Sequence, residues 1–418
     1  MIESADVVIV GGGAAGLASA IFAAEAAPGK RIVVLDGARS LGAKILVAGG
    51  GRCNVTHDVV TPDDFNGPRN VVRNILAAFD AAATVRWFAS LGVQLKRENT
   101  GKLFPVTDSA RTVLGALLRR CEDLRVALRT GSKVREVVTD GATFTLTSDS
   151  GQLTCPRLIL STGGRSLPRS GSDGSGWEIV RRLGHTVTDA YPALVPLVLD
   201  PQWFHESLAG VSQDVELSTF SDGKRIDRRR GSLLWTHFGI SGPVAMDASR
   251  HWVIAKETGK QAEMKANLIP PEDFESAERW LLSQASDRPK AQLANVLSQR
   301  FPERVALAIL GYTKVPPQLP GGQLSRDDRR RLIHALTALP IPVLHARGWN
   351  YAEVTAGGVP LSEIDYRTMA SRKAPGLFLA GEILDCDGRI GGFNFQWAWS
   401  TGHLAGTAAG RDSGQGAA

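Results

Sequence analysis

Apolar and polar positions at the start of the chain follow the pattern of a strand, a turn, a helix and a second strand. The apolar run Val7–Val10 leads into the glycine-rich text GGGAAG at 11–16, and the residues at 17–27 have helical composition. A second apolar run, RIVVLD, occupies 31–36. The three elements close within about 30 residues, which is the size of the βαβ unit of dinucleotide-binding folds.

The glycines of this segment have separate predicted roles. Gly11 permits a tight turn, Gly13 lets the backbone approach a pyrophosphate, and Gly16 lets the helix pack against the strand. The helix N-terminus would then face the phosphates with its partial positive charge. Asp36, at the end of the second strand, can accept hydrogen bonds from ribose hydroxyls. We therefore predict a nucleotide site here rather than a merely tight turn.

Composition places the chain among globular proteins of two or three compact units. It has 418 residues, of which 43% are apolar and 22% charged. The net charge of +6 would suit an anionic cofactor or a nucleic acid, but its densest cluster is only DRRR at 227–230, which we interpret as a solvated loop. No long stripe of Lys and Arg alternates with aromatic residues, which argues against a nucleic-acid partner.

The cysteines and the first apolar stretch point to a reducing compartment. The four cysteines show no CxxC pair, so neither a metal site nor a disulfide framework is expected. Residues 7–24 carry no charge, but three glycines interrupt them and no basic segment precedes them, as a signal peptide would require. We expect a cytoplasmic protein without a membrane segment.

Three further segments favour FAD over NAD, because the ribityl chain and ring of FAD extend beyond the pyrophosphate. The first, at 41–58, contains GGGRCN, interpreted as another glycine loop. The second, RLILSTGGRSLP at 157–168, is a strand running into a turn, with a β-meander expected before it. The third, at 376–406, ends in GGFN, where a helix beginning near Phe393 would direct its amides at the flavin.

The middle of the chain has a different pattern. Short apolar runs alternate with turns over 194–268, which predicts a small β-structure. Over 271–339 the apolar spacing predicts several short helices, separated by PP at 316–317 and GG at 321–322. Such an insertion would cap a flavin and form a substrate pocket.

These motifs together resemble a bacterial family of FAD-binding, NAD(P)/FAD-dependent oxidoreductases that includes aminoacetone-oxidase-like and bile-acid-reductase-like flavoproteins. The matching text includes VVIVGGGAAGL, AKILVAGGGRCNVT, THFGISGP, GLFLAGEILDCDG and GGFNFQWAWSTG, and it covers nearly the whole chain. The resemblance implies an α/β fold with a Rossmann-like FAD-binding domain that is discontinuous in sequence. Its parts would be 1–190 and 345–418, around an insertion that is β-rich at 191–269 and helical at 270–344.

The resemblance also implies a set of cofactor contacts, carried over position by position. The residues expected to contact FAD are Gly11, Gly13, Ala14, Ala15, Gly16, Asp36, Lys44, Gly51, Arg52, Cys53, Val134, Thr162, Gly163, Gly381, Glu382, Asp387, Gly392, Phe393 and Asn394. One departure concerns Asp36, where the family usually has the longer Glu.

The sequence assigns no catalytic residue. Cys53 lacks a partner at CxxxxC spacing, so we expect it to pack as a small apolar group near the flavin. His237 is a candidate proton donor, although a histidine bonded within a loop is the favoured interpretation. Arg52 and Arg389 are expected to hold the flavin or to form structural ion pairs. Because a second GxGxxG is absent, NADH or NADPH would bind as electron donor without its own Rossmann unit.

These observations give three hypotheses. The first is a FAD-dependent oxidoreductase that transfers hydride between the flavin and a small organic substrate, either in enone-type reduction or in amine-type oxidation. The second is a flavoprotein that modifies RNA. The third is a flavin-binding electron relay without catalytic activity of its own.

Overall fold

The structure is a computed structural model that describes residues 3–411, and the chain divides into two compact units. The first unit is built from the segment that ends at Ala190 and the segment that begins at Val354, and the second spans Tyr191–Glu353. The second unit ends later than the predicted 344. The reason is that strand Val343–Ala346 pairs with strand Leu197–Leu199 inside this unit.

The elements of the first segment alternate between strands and helices. They are β1 (Glu3–Ser4), β2 (Val7–Val10), α1 (Ala14–Ala26), β3 (Ile32–Leu35), α2 (Ala43–Gly51), β4 (Thr56–His57), β5 (Phe65–Asn66), α3 (Arg69–Ala78), α4 (Ala81–Ser90), β6 (Leu95–Arg97), β7 (Lys102–Pro105), α5 (Ala110–Asp123), β8 (Ala127–Arg129), β9 (Val134–Thr139), β10 (Phe144–Ser148), β11 (Gly151–Cys155), β12 (Arg157–Leu160) and α6 (Ser175–Arg182).

The second unit begins with strands and continues with helices. Its elements are β13 (Tyr191–Ala193), β14 (Leu197–Leu199), β15 (Ser212–Ser221), β16 (Lys224–Thr236), β17 (Gly239–Ser241), α7 (Pro243–Glu257), β18 (Ala262–Asn267), α8 (Phe274–Asp287), α9 (Leu293–Leu297), α10 (Glu303–Thr313), α11 (Arg326–Thr337), β19 (Leu339–Ile341) and β20 (Val343–Ala346). The last segment returns to the first unit. It contains β21 (Val354–Ala356), β22 (Ile364–Asp365), β23 (Ala370–Ser371), β24 (Leu377–Leu379), β25 (Asp387–Gly388) and α12 (Phe393–Gly410).

The central sheet of the first unit confirms the predicted βαβ unit and α/β fold class. In the described chain its strand order is β22-β23-β24-β12-β2-β3-β8, and the strands from β24 to β8 run parallel. Every residue of β2 and of β3 is buried, as expected of parallel strands covered on both faces. Helix α1 begins at Ala14 and not at 17, because the small residues after Gly13 already adopt helical geometry.

Helix α12, in the last segment of the chain, packs along α1, in the first segment. A Cβ placed on Gly402 would lie 2.8 Å from the carbonyl oxygen of Ala15, and one on Gly406 would lie 2.3 Å from that of Ser19. Glycines four residues apart on one face of α12 therefore let the two backbones approach closely. This packing places the final segment against the N-terminal βαβ unit.

A second sheet of the first unit contains the predicted meander. Strands β9, β10 and β11 are antiparallel neighbours, and β1 pairs in parallel with β11. The segment GGGRCN, predicted as a glycine loop, follows the regular part of helix α2. Ala48 already departs from helical geometry, and Gly49 and Gly50 take left-handed conformations, so the chain turns at these glycines.

The second unit has its own core and its own sheet, of strand order β19-β18-β15-β16-β17-β14-β20 among the described residues. Its predicted division is only partly right, because helix α7 lies in the β-rich part, and β19 and part of β20 lie in the helical part. The cluster at 227–230 is not a loop. It lies within β16, where Arg230 is opposite Glu216 and Arg228 forms an ion pair with Glu216 at 2.7 Å.

None of the helices in the described part of the chain combines the length and the hydropathy that crossing a bilayer requires.

Candidate nucleotide-binding site

The first glycine turn joins β2 to α1 and is shaped by close backbone approaches. Gly11 has φ +104°, and a Cβ there would lie 2.5 Å from the carbonyl oxygen of Ser161. A Cβ on Gly16 would lie 1.8 Å from the carbonyl oxygen of Gly11. At both positions only glycine fits without displacing backbone.

Gly13, the N-cap of α1, differs from these two because a Cβ there would meet no atom of the described chain within 4 Å. No described side chain caps this helix. The first amides of an α-helix have no intrahelical acceptor, so the donors of Ala14, Ala15 and Gly16 are available to an anion. The turn thus offers open space, free donors and a positive helix end, which together fit a pyrophosphate.

Asp36 lies at the end of β3, as predicted, and its carboxylate binds backbone amides. Oδ2 accepts from the amide of Gly12 at 2.6 Å, and Oδ1 accepts from the amide of Ala38 at 2.7 Å. The side chain therefore fixes the glycine turn to the strand end. Its role toward a ribose remains a prediction.

The second glycine segment follows α2 and is shaped by conformation. Gly49, Gly50 and Gly51 have φ values of +58°, +69° and +85°, and all three are exposed. Cys53 also has a positive φ, of 62°, and its side chain is fully buried. Burial raises the pKa of the Cys53 thiol to about 12, so at neutral pH it is a small apolar group and not a thiolate.

Lys44 and Glu382, both predicted to contact FAD, are joined in one polar network. Lys44 Nζ lies 2.7 Å from Glu382 Oε2, and it also donates to Ser166 Oγ at 2.7 Å. Glu382 Oε1 accepts from the Thr355 hydroxyl at 2.7 Å and from its amide at 3.0 Å. The network joins chain segments that are far apart in sequence, with both charged side chains mostly shielded from solvent.

The two candidate arginines form ion pairs. Arg52 lies 2.6 Å from Glu98, and its guanidinium lies 4.0 Å from the centre of the Phe104 ring. Its hydrogen bond to Glu98 raises the pKa of Arg52, so the guanidinium stays charged. Arg389 lies 3.4 Å from Asp64. Of the two roles expected for these residues, the structure displays the structural ion pair.

The third predicted segment, at 376–406, contacts the N-terminal glycine turn through Gly381. A Cβ on Gly381 would lie 2.8 Å from the Cβ of Ala15, at the start of α1. Trp397, one turn into α12, donates its indole N–H to the carbonyl of Gly381 at 3.2 Å. The turn at Gly381 therefore lies beside the N-terminal glycine turn, as binding of one cofactor by both segments requires.

The start of α12 is held by its own first-turn residues. The Asn394 carboxamide accepts from the amide of Gly388 at 2.8 Å and donates to its carbonyl at 2.9 Å. Phe393 stacks on His57 with ring centres 5.0 Å apart. Asp387 is buried and accepts from the Asn66 carboxamide at 2.8 Å. These contacts fix the direction in which the helix end points.

The remaining predicted residues lie at the start of β9 and directly after β12. Val134 begins β9 and is buried. Thr162 and Gly163 follow β12, and Gly163 has φ +74°. Within the described chain Thr162 Oγ1 is buried without a hydrogen-bond partner. This hydroxyl lies against the start of α6, where a Cβ on Gly176 would be 1.9 Å from it.

Asn54 is a residue that the sequence analysis missed. It is 8% exposed, and its Oδ1 is buried with no hydrogen-bond partner among residues 3–411. Its position next to GGGRC in the sequence was a signal, but an asparagine in a glycine-rich segment is more often a turn residue. Only the burial of its oxygen distinguishes it.

Comparison with known proteins gives the family. Residues 5–408 match the HI0933-like protein Rossmann domain. The chain belongs to the HI0933-like family. It is 32% identical over 402 residues to the 3-dehydro-bile acid delta(4,6)-reductase of Clostridium scindens, covering 96% of this chain and 98% of the relative. It is 33% identical over 403 residues to the ribosomal RNA dihydrouridine synthase of Escherichia coli, covering 96% of each chain.

A likeness of fold extends further. The structure of a mutant E. coli quinol fumarate reductase aligns with 97% of this chain and 70% of that chain, with a TM-score of 0.50 and 17% identity. Membership in the HI0933-like family confirms the predicted Rossmann-type fold, FAD as the cofactor and the assignment to FAD-dependent oxidoreductases. The glycine turns, free helix amides and orphaned oxygens of the site fit that cofactor.

His237 lies in the second unit. It occupies the turn between β16 and β17, where its ring is exposed and meets the Phe238 ring edge-on at 5.1 Å. The favoured interpretation of a histidine bonded within a loop is not borne out for its ring, since no hydrogen bond to that ring is formed by the described residues. Its role as a proton donor remains a hypothesis.

Proposed function

We propose that this protein is a FAD-dependent reductase of carbon–carbon double bonds conjugated to a carbonyl group. The observation that carries the proposal is what two full-length relatives share. The name of one describes reduction of Δ4,6 double bonds in a 3-oxo bile acid. The name of the other describes formation of dihydrouridine, in which the double bond next to the uracil C4 carbonyl is saturated.

The net reaction adds a hydride to the carbon β to the carbonyl and a proton to the α carbon, with oxidation of one NADH or NADPH as the proposed donor. The chemistry that FAD supplies when bound is two-electron transfer as hydride. The chain's own contribution is binding and orientation. Amides at the start of α1 would bind the pyrophosphate, and those at the start of α12 would present partial positive charge to the flavin.

One feature of the chain argues against a thiol-based mechanism, and another bears on the size of the substrate. Cys53 is protonated and buried, and the other three cysteines are also buried, so no thiolate is available to relay electrons. The insertion is also nearly balanced in charge, with 20 basic and 18 acidic residues over 191–353. That balance favours a small organic substrate as the first candidate.

The test begins with the visible spectrum of the purified protein, which should show bound FAD. Anaerobic titration with NADH and with NADPH should bleach the flavin, and a 4-en-3-one steroid or another cyclic enone should restore its colour with formation of the saturated ketone. Reduction of the flavin by a primary amine, with reoxidation by O2 to give hydrogen peroxide and no turnover of enones, would contradict enone reduction and favour amine oxidation. Bleaching without turnover of any substrate would favour an electron relay.

A uracil base in RNA is the second candidate substrate. The E. coli relative supports it, and so does the tip of the β15–β16 hairpin, where Lys224, Arg225 and Arg228 are exposed. These side chains can contact phosphates without reading sequence. A ribosomal RNA transcript incubated with enzyme and donor would then contain dihydrouridine by mass spectrometry.

The variant Lys224→Ala/Arg225→Ala separates the two candidates. If RNA is the substrate, this variant should lose RNA turnover and its salt-dependent RNA binding, while flavin reduction by the donor is unchanged. If a small enone is the substrate, RNA should show no dihydrouridine, and enone turnover should be the same in both proteins.

A further inference from the structure

The side chain of Asn54 presents a buried acceptor that nothing in residues 3–411 satisfies. The residue is 8% exposed, and its Oδ1 has no donor. Buried polar atoms in folded proteins nearly always have a partner, so an exception calls for an explanation. The carboxamide lies between β4 and the GGGRC segment, in the same unit as the nucleotide site.

This acceptor lies against the N-terminus of α12. A Cβ on Gly392, the N-cap residue, would be 2.9 Å from Asn54 Oδ1 and 2.7 Å from the carbonyl of Thr56. Gly392 has φ +93°, and no described side chain caps the helix. Because the first amides of a helix have no intrahelical acceptor, the unpaired oxygen lies beside a group of unpaired donors.

The Asn54 acceptor and the α12 amide donors lie side by side, and together they restrict the chemical class of the ligand. A phosphate or carboxylate offers acceptors only, so it would satisfy the helix amides and leave Asn54 Oδ1 facing negative charge. A hydrocarbon would satisfy neither. The dioxopyrimidine edge of a flavin presents carbonyl, N–H and carbonyl in a row, which matches the helix amides and the Asn54 oxygen together.

We propose that Asn54 is a cofactor-positioning residue that accepts a hydrogen bond from the N3–H of the flavin, with the α12 amides serving the adjacent carbonyl. This inference rests on the proposed function, because it requires bound FAD. It adds a residue to the expected cofactor contacts, and it explains why a neutral carboxamide occupies a place where an aspartate would repel the charge that a reduced flavin carries.

The direct test is ¹H–¹⁵N NMR of the holoenzyme reconstituted with FAD labelled with ¹⁵N at N3. In the wild type the N3–H signal should be visible and protected from solvent exchange. In Asn54→Ala it should exchange at least about tenfold faster, because its acceptor is lost. Asn54→Asp should in addition lower the reduction potential of the flavin. The matched control is Asn295→Ala, an exposed asparagine on α9 of the other unit, which should behave as wild type.

A second variant and a thermal unfolding measurement distinguish loss of the hydrogen bond from damage to the fold. Asn54→Ser keeps an oxygen acceptor and should retain part of the protection, whereas Asn54→Ala should lose it, and thermal unfolding reports whether either fold is damaged. Equal exchange of N3–H in wild type and Asn54→Ala, with FAD bound to both, would overturn the role of Asn54 and leave the proposed function intact. Failure of the wild type to bind FAD would overturn both.

Discussion

The first unit contains the letters GGG twice, at 11–13 and at 49–51, and the two copies need glycine for different reasons. In the first turn, Gly11 is constrained by the backbone at Ser161, and Gly16 beyond it is constrained by the backbone of Gly11. In the second, Gly50 has a left-handed φ but open space around it. Gly11 and Gly16 are therefore specified by close backbone contacts, whereas Gly50 is specified by backbone conformation.

The difference teaches how each cluster can serve a cofactor. Where backbone atoms touch, the turn is rigid and holds its amides in place before any ligand arrives. Where only φ is constrained, the segment is exposed and tolerates other residues at the cost of local strain. We therefore expect substitutions at Gly11 and Gly16 to affect folding, and a substitution at Gly50 to have a smaller effect on stability.

Gly16→Ala should have the largest effect. Its Cβ would lie 1.8 Å from the carbonyl oxygen of Gly11, and neither backbone can move without disturbing β2 and α1. The expected loss is about 3 kcal/mol or more in the free energy of unfolding, measured by urea denaturation. If Gly16→Ala unfolded at the wild-type urea midpoint, the first turn would not be rigid, and the difference drawn between the two glycine segments would be wrong.

Gly13→Ala should separate binding from folding within the same turn. Gly13 has φ −82°, and a Cβ there meets no atom of residues 3–411 within 4 Å, so the midpoint of unfolding should not change. The new methyl group occupies the space assigned to the pyrophosphate. FAD affinity, measured by fluorescence titration, should fall about tenfold or more, which is about 1.4 kcal/mol. Unchanged affinity would place the pyrophosphate elsewhere.

Gly50→Ala should have an intermediate effect on stability. The Cβ has free space, so the expected cost is the left-handed strain of about 1–2 kcal/mol. Gly50→Asn should cost less, since asparagine tolerates this conformation. Gly49→Ala is the matched comparison, because its Cβ would lie 2.9 Å from the Phe104 ring and should cost more than Gly50→Ala. The reverse order in urea denaturation would contradict the steric account.

Ionisation of the Cys53 thiol should have the smallest effect of all on the free energy of unfolding near neutral pH. Burial raises the pKa of its thiol to about 12, while an unfolded thiol has a pKa of about 8.5. The folded state therefore holds this proton more tightly. That contribution to stability is complete below about pH 8.5 and is lost as the pH rises toward 12.

Alkylation with iodoacetamide, followed by mass spectrometry of the Cys53 peptide, tests this directly. At pH 7.5 the native protein should remain unmodified over a time in which the urea-unfolded protein reacts fully. Rapid alkylation of the native protein at this pH would show an accessible thiolate and reopen a redox role for the residue.

Local sequence was sufficient for the elements that carry their own signals. The buried run of β2, the glycine turn and Asp36 lie within one βαβ unit, and their spacing alone predicts their arrangement. The end of the insertion at Glu353 was not predictable in this way. The pairing of β20 with β14 depends on residues about 150 positions apart in sequence, which a local pattern does not record.

The sequence by itself determined the Rossmann-type unit and indicated an extended nucleotide cofactor, because glycine placement and apolar runs act over a few residues. Only the tertiary structure decided that Lys44 pairs with Glu382, that Gly11 and Gly50 need glycine for different reasons, and that Asn54 Oδ1 lies beside α12 without a partner among residues 3–411. Those properties arise when distant backbone segments exclude water from one another, and burial of a polar atom is a feature of the folded chain as a whole.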